Sequence, residues 1–212
     1  MNLRNTESVR PPFGRDLILL SIHVARKNWS EWRVVFEHQG TIATNPLIAG
    51  EYTFASFCKE YSVSRTIRRG TQNEFRLALI DSLSEVVNDD SGRALDRLEG
   101  ELRPRFGTRG GTRGMVSVLS KVAAFVRPER FVAWDSFAKR GLNFVHGRRA
   151  NFRFHSYAEY LTAFDQVWSG QAGQQIRDYV TANPGQSSTE REPRFLRRVL
   201  DVCLMRHGGR TL

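Results

Sequence analysis

The sequence has little cysteine and no long hydrophobic segment. Its two cysteines, Cys58 and Cys203, lie among apolar residues at helical spacing, so we expect reduced core thiols rather than a disulfide. No apolar run reaches the roughly 18 residues that a membrane-spanning helix needs. The first residues, MNLRNTESVRPPFGRD, contain no hydrophobic signal core. These absences predict a cytoplasmic protein without a membrane partner.

Metal-binding and nucleotide-binding motifs are also missing. The five histidines are scattered and do not combine with cysteine in a spacing typical of zinc sites. The glycine-rich stretch 103–114 is not followed by G-K-[ST], which excludes a Walker A loop. The chain has no internal repeat and no low-complexity tract. We therefore expect no metal and no other cofactor.

Positive charge is the strongest feature of the composition. Lysine and arginine number 32 against 22 aspartates and glutamates, which gives a formal net charge of +10 and a pI of about 10.4. Arginine dominates the basic set and favours bidentate contacts with phosphate. A nucleic acid is the partner expected from this charge, DNA or else RNA. A soluble basic protein without such a partner is the alternative. Protein partners cannot be predicted from the sequence.

Helical periodicity predicts the fold class. Strand signals are weak, and 212 residues with 40% apolar side chains suit one compact multi-helix domain spanning 1–212, mainly α. Helical spacing of apolar residues predicts helices at 16–39, with Asp16 as N-cap and Gly40 as stop, and at 75–86, 94–102, 114–126, 157–168, 176–180 and 195–204. Residues 40–53 are predicted to form a loop.

The stretch 111–142 brings an amine and a carboxylate onto two neighbouring elements. Lys121 lies just outside the apolar stripe of the helix predicted at 114–126, and Pro128 ends that helix. Asp135 begins a second helical run. An amine becomes a nucleophile when its surroundings lower its pKa, and a carboxylate nearby can transfer protons or offset positive charge. The alternative interpretation is a surface lysine and an aspartate that caps a helix.

This stretch resembles the helix-hairpin-helix DNA glycosylases, especially their 8-oxoguanine branch. SKVAAF followed by RPERFVAWDSFAKRGL matches the family lysine at Lys121, its aspartate at Asp135 and the arginine five positions later at Arg140. The resemblance implies a glycosylase-like core centred on 94–170, base flipping, and excision of a base with abasic-site lyase chemistry. Lys121 would attack the sugar and form a Schiff base, assisted by Asp135. Trp134 and Phe137 flank the aspartate and are candidates for the base pocket, with core packing as the alternative for each.

Two departures from the family pattern keep a second function open. Phe137 stands where the family has histidine, and the glycines of the expected hairpin lie farther upstream, within 103–114. A non-catalytic nucleic-acid-binding module that kept the fold is therefore the alternative to an enzyme.

Arg140 and three arginine-rich stretches are the predicted nucleic-acid contacts. The glycine-rich stretch 103–114 would hold phosphate with Arg105, Arg109 and Arg113, or be a solvated loop. Residues 143–156 combine Arg148 and Arg149 with phenylalanines, which suits an unstacked strand as well as ordinary packing. Residues 54–70 resemble half of a helix-turn-helix, a possible appendage that would make the chain a DNA-binding regulator reading bases through Arg65, Arg68 and Arg69.

Overall fold

The helices predicted from apolar periodicity form the framework of the molecule. A computed structural model describes residues 12–108, 114–183 and 187–210, apart from the side chain of Val87. Ten α-helices lie within these ranges: α1 Arg15–Phe36, α2 Pro46–Ala49, α3 Glu51–Glu60, α4 Gln72–Asn88, α5 Arg93–Phe106, α6 Val116–Val126, α7 Ser136–Val145, α8 Tyr157–Ser169, α9 Gln171–Ala182 and α10 Pro193–His207. The described residues contain no strand, only an isolated bridge between Ile67 and Gly107. The prediction of a compact, mainly α protein is confirmed.

Apolar side chains at helical spacing meet in one continuous core. In α1 the buried residues include Ile18, Ile22 and Ala25, and in α10 they include Val199 and Cys203. Both cysteines are buried and free, as expected. None of the helices in the described ranges is long and apolar enough to cross a membrane.

The predicted loop at 40–53 is wrong, because short helices fill most of it. A 3-10 turn covers Ile42–Thr44, α2 follows, and α3 begins at Glu51. Asn45 caps α2 by accepting from the Leu47 amide at 3.0 Å, and Pro46 occupies the first turn. Leu47 and Ile48 are fully buried. A four-residue helix is too short to show periodicity, so only its cap and proline could have indicated it.

Two helix ends differ from the sequence prediction. α1 ends at Phe36 rather than at 39, and its N-cap is Gly14, with Asp16 in the first turn. α5 continues through Pro104 to Phe106. A proline in the last turn removes a single backbone bond, and burial of Phe106 holds the end of the helix.

The helix-turn-helix predicted at 54–70 is not formed. α3 ends at Glu60, and the expected recognition helix is a three-residue 3-10 turn, Ser64–Thr66. Val63 and Ile67 are buried, and the Arg68 amide donates to the Phe106 carbonyl oxygen at 2.7 Å. The segment is therefore part of the core rather than an appendage, and after α3 it contains no second α-helix that could lie in a groove of DNA.

α10 lies against both α1 and α7, and two glycines permit the close contact with α7. A Cβ on Gly141 would lie 2.0 Å from the Leu204 carbonyl oxygen, and one on Gly208 would lie 1.9 Å from the Phe137 carbonyl oxygen. Both distances are far shorter than any real contact, so these positions accept only glycine without movement of the backbone. The close approach fixes the beginning of α7 relative to α10, and the candidate site lies there.

Candidate active site

α6 holds Lys121 with its amine in a partly buried position. The Nζ atom donates to Ser117 Oγ at 3.1 Å, one helical turn earlier. Burial lowers the pKa of Lys121 from its ordinary value. The negative charges of Asp135 and Asp201 partly offset this, whereas Arg210 and Arg198 lower the pKa further. A lowered pKa increases the fraction of unprotonated amine at neutral pH, which a nucleophilic lysine requires.

Asp135 has two roles, one for each carboxylate oxygen. It is the N-cap of α7, and its Oδ1 accepts from the amides of Phe137 at 2.8 Å and Ala138 at 3.3 Å. Its Oδ2 lies 4.0 Å from Arg210 Nη1. The helix-capping interpretation is thus correct, yet the second oxygen remains directed toward a cation. The carboxylate side chain is 17% exposed.

The connection between α6 and α7 is extended and is held by side chains of two helices. The Trp134 amide donates to Ser120 Oγ of α6 at 2.9 Å. From α8, the Tyr157 hydroxyl donates to the Val132 carbonyl oxygen at 2.7 Å, and the Tyr160 hydroxyl donates to that of Ala133 at 3.0 Å. Both tyrosines are fully buried. Asp135 therefore follows a rigid backbone, and its position relative to Lys121 is determined by α6 and α8.

Lys121 and Asp135 line the same cavity, whose volume is about 660 Å³. Its walls are α1, the turn after α3, α6, the connection 128–135, the start of α7, and α10. This volume lies within the range of small-molecule pockets, about 300–1,000 Å³. The described residues of the wall carry six cationic side chains, Lys121, Lys139, Arg194, Arg197, Arg198 and Arg210, and three carboxylates, Glu60, Asp135 and Asp201. The excess of positive charge favours an anionic ligand.

Both aromatic residues predicted for the base pocket line this cavity. Trp134 and Phe137 are partly buried. Lys139 Nζ lies 4.1 Å from the centre of the Trp134 ring, and the Arg140 guanidinium lies 4.5 Å from the centre of the Phe137 ring. Each ring thus packs against a cation as well as the core, so core packing accounts for part of its position.

The predicted nucleic-acid contacts that the structure describes do not line the cavity. Exposed arginines are Arg65, Arg68, Arg69, Arg105, Arg140 and Arg149, whereas Arg148 is partly buried against Phe152 and Phe154. Thr66, which adjoins Arg65 in the sequence, is a cavity-lining residue. Arg109 and Arg113 lie outside the described residues.

The sequence analysis missed the contribution of α10. Asp201 is fully buried, its Oδ2 accepts from Arg198, and its Oδ1 has no partner among the described residues. Burial raises the pKa of Asp201, and Arg198 opposes this. One signal was available: Asp201 lies within the apolar pattern 195–204, where a buried carboxylate needs a partner. The direction in which the arginines of this helix face could not be read from spacing alone.

The chain has only four lysines, and two of them line the cavity. Of the 32 basic residues only four are lysines: Lys27, Lys59, Lys121 and Lys139. Lys27 and Lys59 are exposed, whereas Lys121 and Lys139 line the cavity and burial lowers the pKa of both. Arginine keeps its proton in proteins, so only these two cavity side chains can supply an unprotonated amine.

Neither a metal site nor a comparison with known proteins indicates the function of the cavity. Among the described residues, no group of three or more histidine, cysteine, aspartate and glutamate side chains is placed to hold a metal ion. Comparisons of the chain with family models, with curated proteins and with solved structures found no match. The inference of function therefore depends on the residues of the cavity.

Proposed function

We propose that the protein binds DNA and carries out DNA glycosylase or abasic-site lyase-like chemistry with Lys121 as nucleophile and Asp135 as its assistant. One observation carries this proposal: a lysine with a lowered pKa and a carboxylate line one cavity that has an excess of positive charge. The resemblance of 111–142 to the helix-hairpin-helix glycosylases adds the substrate class, and the glycosylase-like core at 94–170 is part of the same proposal.

The proposed chemistry begins with a nucleotide turned out of the stack into the cavity. The Lys121 amine attacks C1′ of the deoxyribose, the bond from C1′ to the base breaks, and the base leaves with a proton. At an abasic site the amine adds to the aldehyde instead, and water leaves. Opening of the sugar ring in the first case gives the same protonated Schiff base, and loss of a proton from C2′ then breaks the C3′–O bond.

Asp135 is suited to assist these steps through Oδ2. Its Oδ1 is occupied by the two amides at the start of α7, so Oδ2 is the oxygen available to accept a proton or face positive charge on the sugar. Preorganised charge of this kind lowers a barrier because it needs no rearrangement during the reaction. The exposed arginines at 65–69 and 105 would contact the phosphates of the DNA outside the cavity.

Borohydride trapping tests this function. Wild-type protein and variants are incubated with a duplex that carries one abasic site, and borohydride reduces any Schiff base to a stable amine. We expect a covalent adduct with the wild type and none with Lys121→Ala. Lys27→Ala is the matched control, because Lys27 is an exposed lysine on α1 and should not affect trapping. An adduct that persists in Lys121→Ala but disappears in Lys139→Ala would assign the nucleophile to the other cavity lysine and refute the role of Lys121.

The second candidate function is a nucleic-acid-binding module without catalysis. Two contacts favour it: Asp135 is accounted for as the cap of α7, and the Lys121 amine is hydrogen-bonded to Ser117. This function predicts binding that weakens with salt and leaves both the base and the backbone of the DNA intact. Equal binding of RNA and DNA, with no adduct on either, would favour it over the enzyme.

A further inference from the structure

The chain reverses direction at the end of α10 in a Schellman motif. The Gly209 amide donates to the Arg206 carbonyl oxygen at 2.9 Å, and the Arg210 amide donates to that of Met205 at 3.1 Å. Gly209 has φ +93°, a conformation that other residues rarely adopt. Together with the close contact of Gly208 with α7, this motif fixes the backbone position of Arg210.

The motif directs the side chain of Arg210 into the cavity beside Asp135. Its Nη1 lies 4.0 Å from Asp135 Oδ2, and its side chain is 40% exposed. An ion pair at this distance and exposure contributes little to stability. Stability of the fold therefore gives no strong reason for a guanidinium at this place.

The other three arginines of the cavity wall are already hydrogen-bonded to other groups of the protein. Arg194 pairs with Glu192 and the Phe36 carbonyl oxygen, Arg197 with Asp165 and the Arg130 carbonyl oxygen, and Arg198 with Asp201 and Asn28. Within the described part of the chain, the loose contact with Asp135 is the one ion pair of Arg210. Its guanidinium can consequently turn to a ligand without breaking a close hydrogen bond.

We propose that Arg210 is a phosphate-binding residue of the cavity and holds a phosphate that flanks the nucleotide presented to Lys121, which presupposes the DNA chemistry proposed above. A guanidinium offers the planar set of donors that matches two phosphate oxygens. Arg210 and Lys121 bring two cationic groups into one cavity, and their repulsion is relieved when a phosphate enters. Bound phosphate at Arg210 would place the adjoining sugar between Lys121 and Asp135.

A coupling experiment tests this contact without requiring catalysis. The probe is a DNA duplex with a tetrahydrofuran abasic analogue, which cannot form a Schiff base, and each flanking phosphate is replaced in turn by an uncharged methylphosphonate. For the wild type, one replacement should weaken binding about tenfold, the size of a hydrogen bond to a charged group. Arg210→Ala should bind the unmodified probe about tenfold more weakly than the wild type does. Replacing the same phosphate should not weaken its binding further.

Variants around Arg210 separate its charge from its position. Arg210→Gln removes the charge with less change in shape and should reproduce the loss. Gly209→Ala keeps the guanidinium but strains the turn, so it should reduce the coupling to the same phosphate. Arg191→Ala, an exposed arginine outside the cavity, is the control that should bind like the wild type. Circular dichroism verifies that each variant is folded.

The outcomes distinguish this contact from the proposed chemistry. The phosphate role of Arg210 is refuted if each methylphosphonate replacement weakens binding by the same factor in Arg210→Ala as in the wild type. It is also refuted if the wild type does not bind the probe. At saturating abasic duplex, Arg210→Ala should form the borohydride adduct more slowly than the wild type, because the sugar is no longer held in place by the flanking phosphate. Lys121→Ala should still lose affinity when that phosphate is replaced, because Arg210 is present, and it should form no adduct. If the wild type shows the phosphate-dependent loss of binding but forms no borohydride adduct, the proposed chemistry is refuted and the phosphate role of Arg210 is not.

Discussion

Lys121 and Arg210 illustrate what an individual side chain contributes to this cavity. Both are basic, but only lysine can lose its proton at an accessible pH, so burial has chemical consequences at Lys121 that it cannot have at Arg210. Lys121, Asp135, Trp134 and Phe137 were predicted together from one stretch, and all four line the cavity. Their prediction was feasible because they are close together in the sequence.

The residues of α10 could not be assigned in the same way. Asp201 and Arg210 follow Lys121 by 80 and 89 residues along the chain, and their approach depends on the contact of α10 with α7. That contact in turn depends on the absence of side chains at Gly141 and Gly208. Sequence spacing does not reveal which helices will meet at a glycine, so tertiary partners of Lys121 remained hidden.

The pH dependence of trapping tests the electrostatic surroundings of Lys121. Since the pKa of the amine is lowered by burial, we expect the initial trapping rate to rise with pH and to reach half its maximum clearly below 10.5, the ordinary pKa of lysine. The rate is measured on an abasic duplex at saturating concentration between pH 6 and about 10, the range in which a lysine with a lowered pKa titrates. A rate that is still rising steeply at pH 10 would show that the amine has an ordinary pKa.

At the scale of elements, long helices were predictable and short ones were not. α4 and α8 show apolar residues at regular helical spacing, and both occur where expected. α2 and the 3-10 turns are too short for their apolar residues to show a helical period. For this reason the predictions of a loop at 40–53 and of a helix-turn-helix at 54–70 were wrong. The predicted recognition helix does not form, because burial of Val63 and Ile67 in the core outweighs the helix propensity of that segment.

Asp135 permits a test that separates the cap of α7 from the chemistry. Asp135→Ala removes the cap and should destabilise the protein by about 1 kcal/mol. Asp135→Asn can still accept from the Phe137 and Ala138 amides, so its stability should stay close to that of the wild type. Both variants should trap DNA much more slowly, because both lack the carboxylate.

Denaturant unfolding and trapping rates are measured for both variants. If Asp135→Asn traps DNA at the wild-type rate, the carboxylate has no chemical role and Asp135 is a cap alone. If it unfolds as easily as Asp135→Ala, a side-chain acceptor at this position does not explain the start of α7.

For the molecule as a whole, charge predicts how binding responds to salt. If the protein binds DNA as proposed, the net charge of +10 and the exposed arginines predict contacts with several phosphates. The logarithm of the binding constant for duplex DNA should therefore fall linearly with the logarithm of the salt concentration. Arg68→Ala should reduce the steepness by about one unit, as expected for one lost phosphate contact.

Arg33→Ala is the matched control for the salt experiment, because Arg33 is exposed on α1 and pairs with Glu37. Fluorescence anisotropy at five or more salt concentrations gives the slopes. Binding that is independent of salt, or equal slopes for wild type and Arg68→Ala, would show that the basic surface at 65–69 does not contact phosphate.

Location of the borohydride adduct by mass spectrometry is the most direct measurement of the central claim. Wild-type protein is trapped on an abasic duplex, the DNA and the protein are digested, and the modified peptide is sequenced. We expect the reduced sugar on Lys121 alone, within α6, and expect Lys27, Lys59 and Lys139 to be unmodified. An adduct on any other lysine or on the amino terminus, or no adduct with DNA that the protein demonstrably binds, would contradict it.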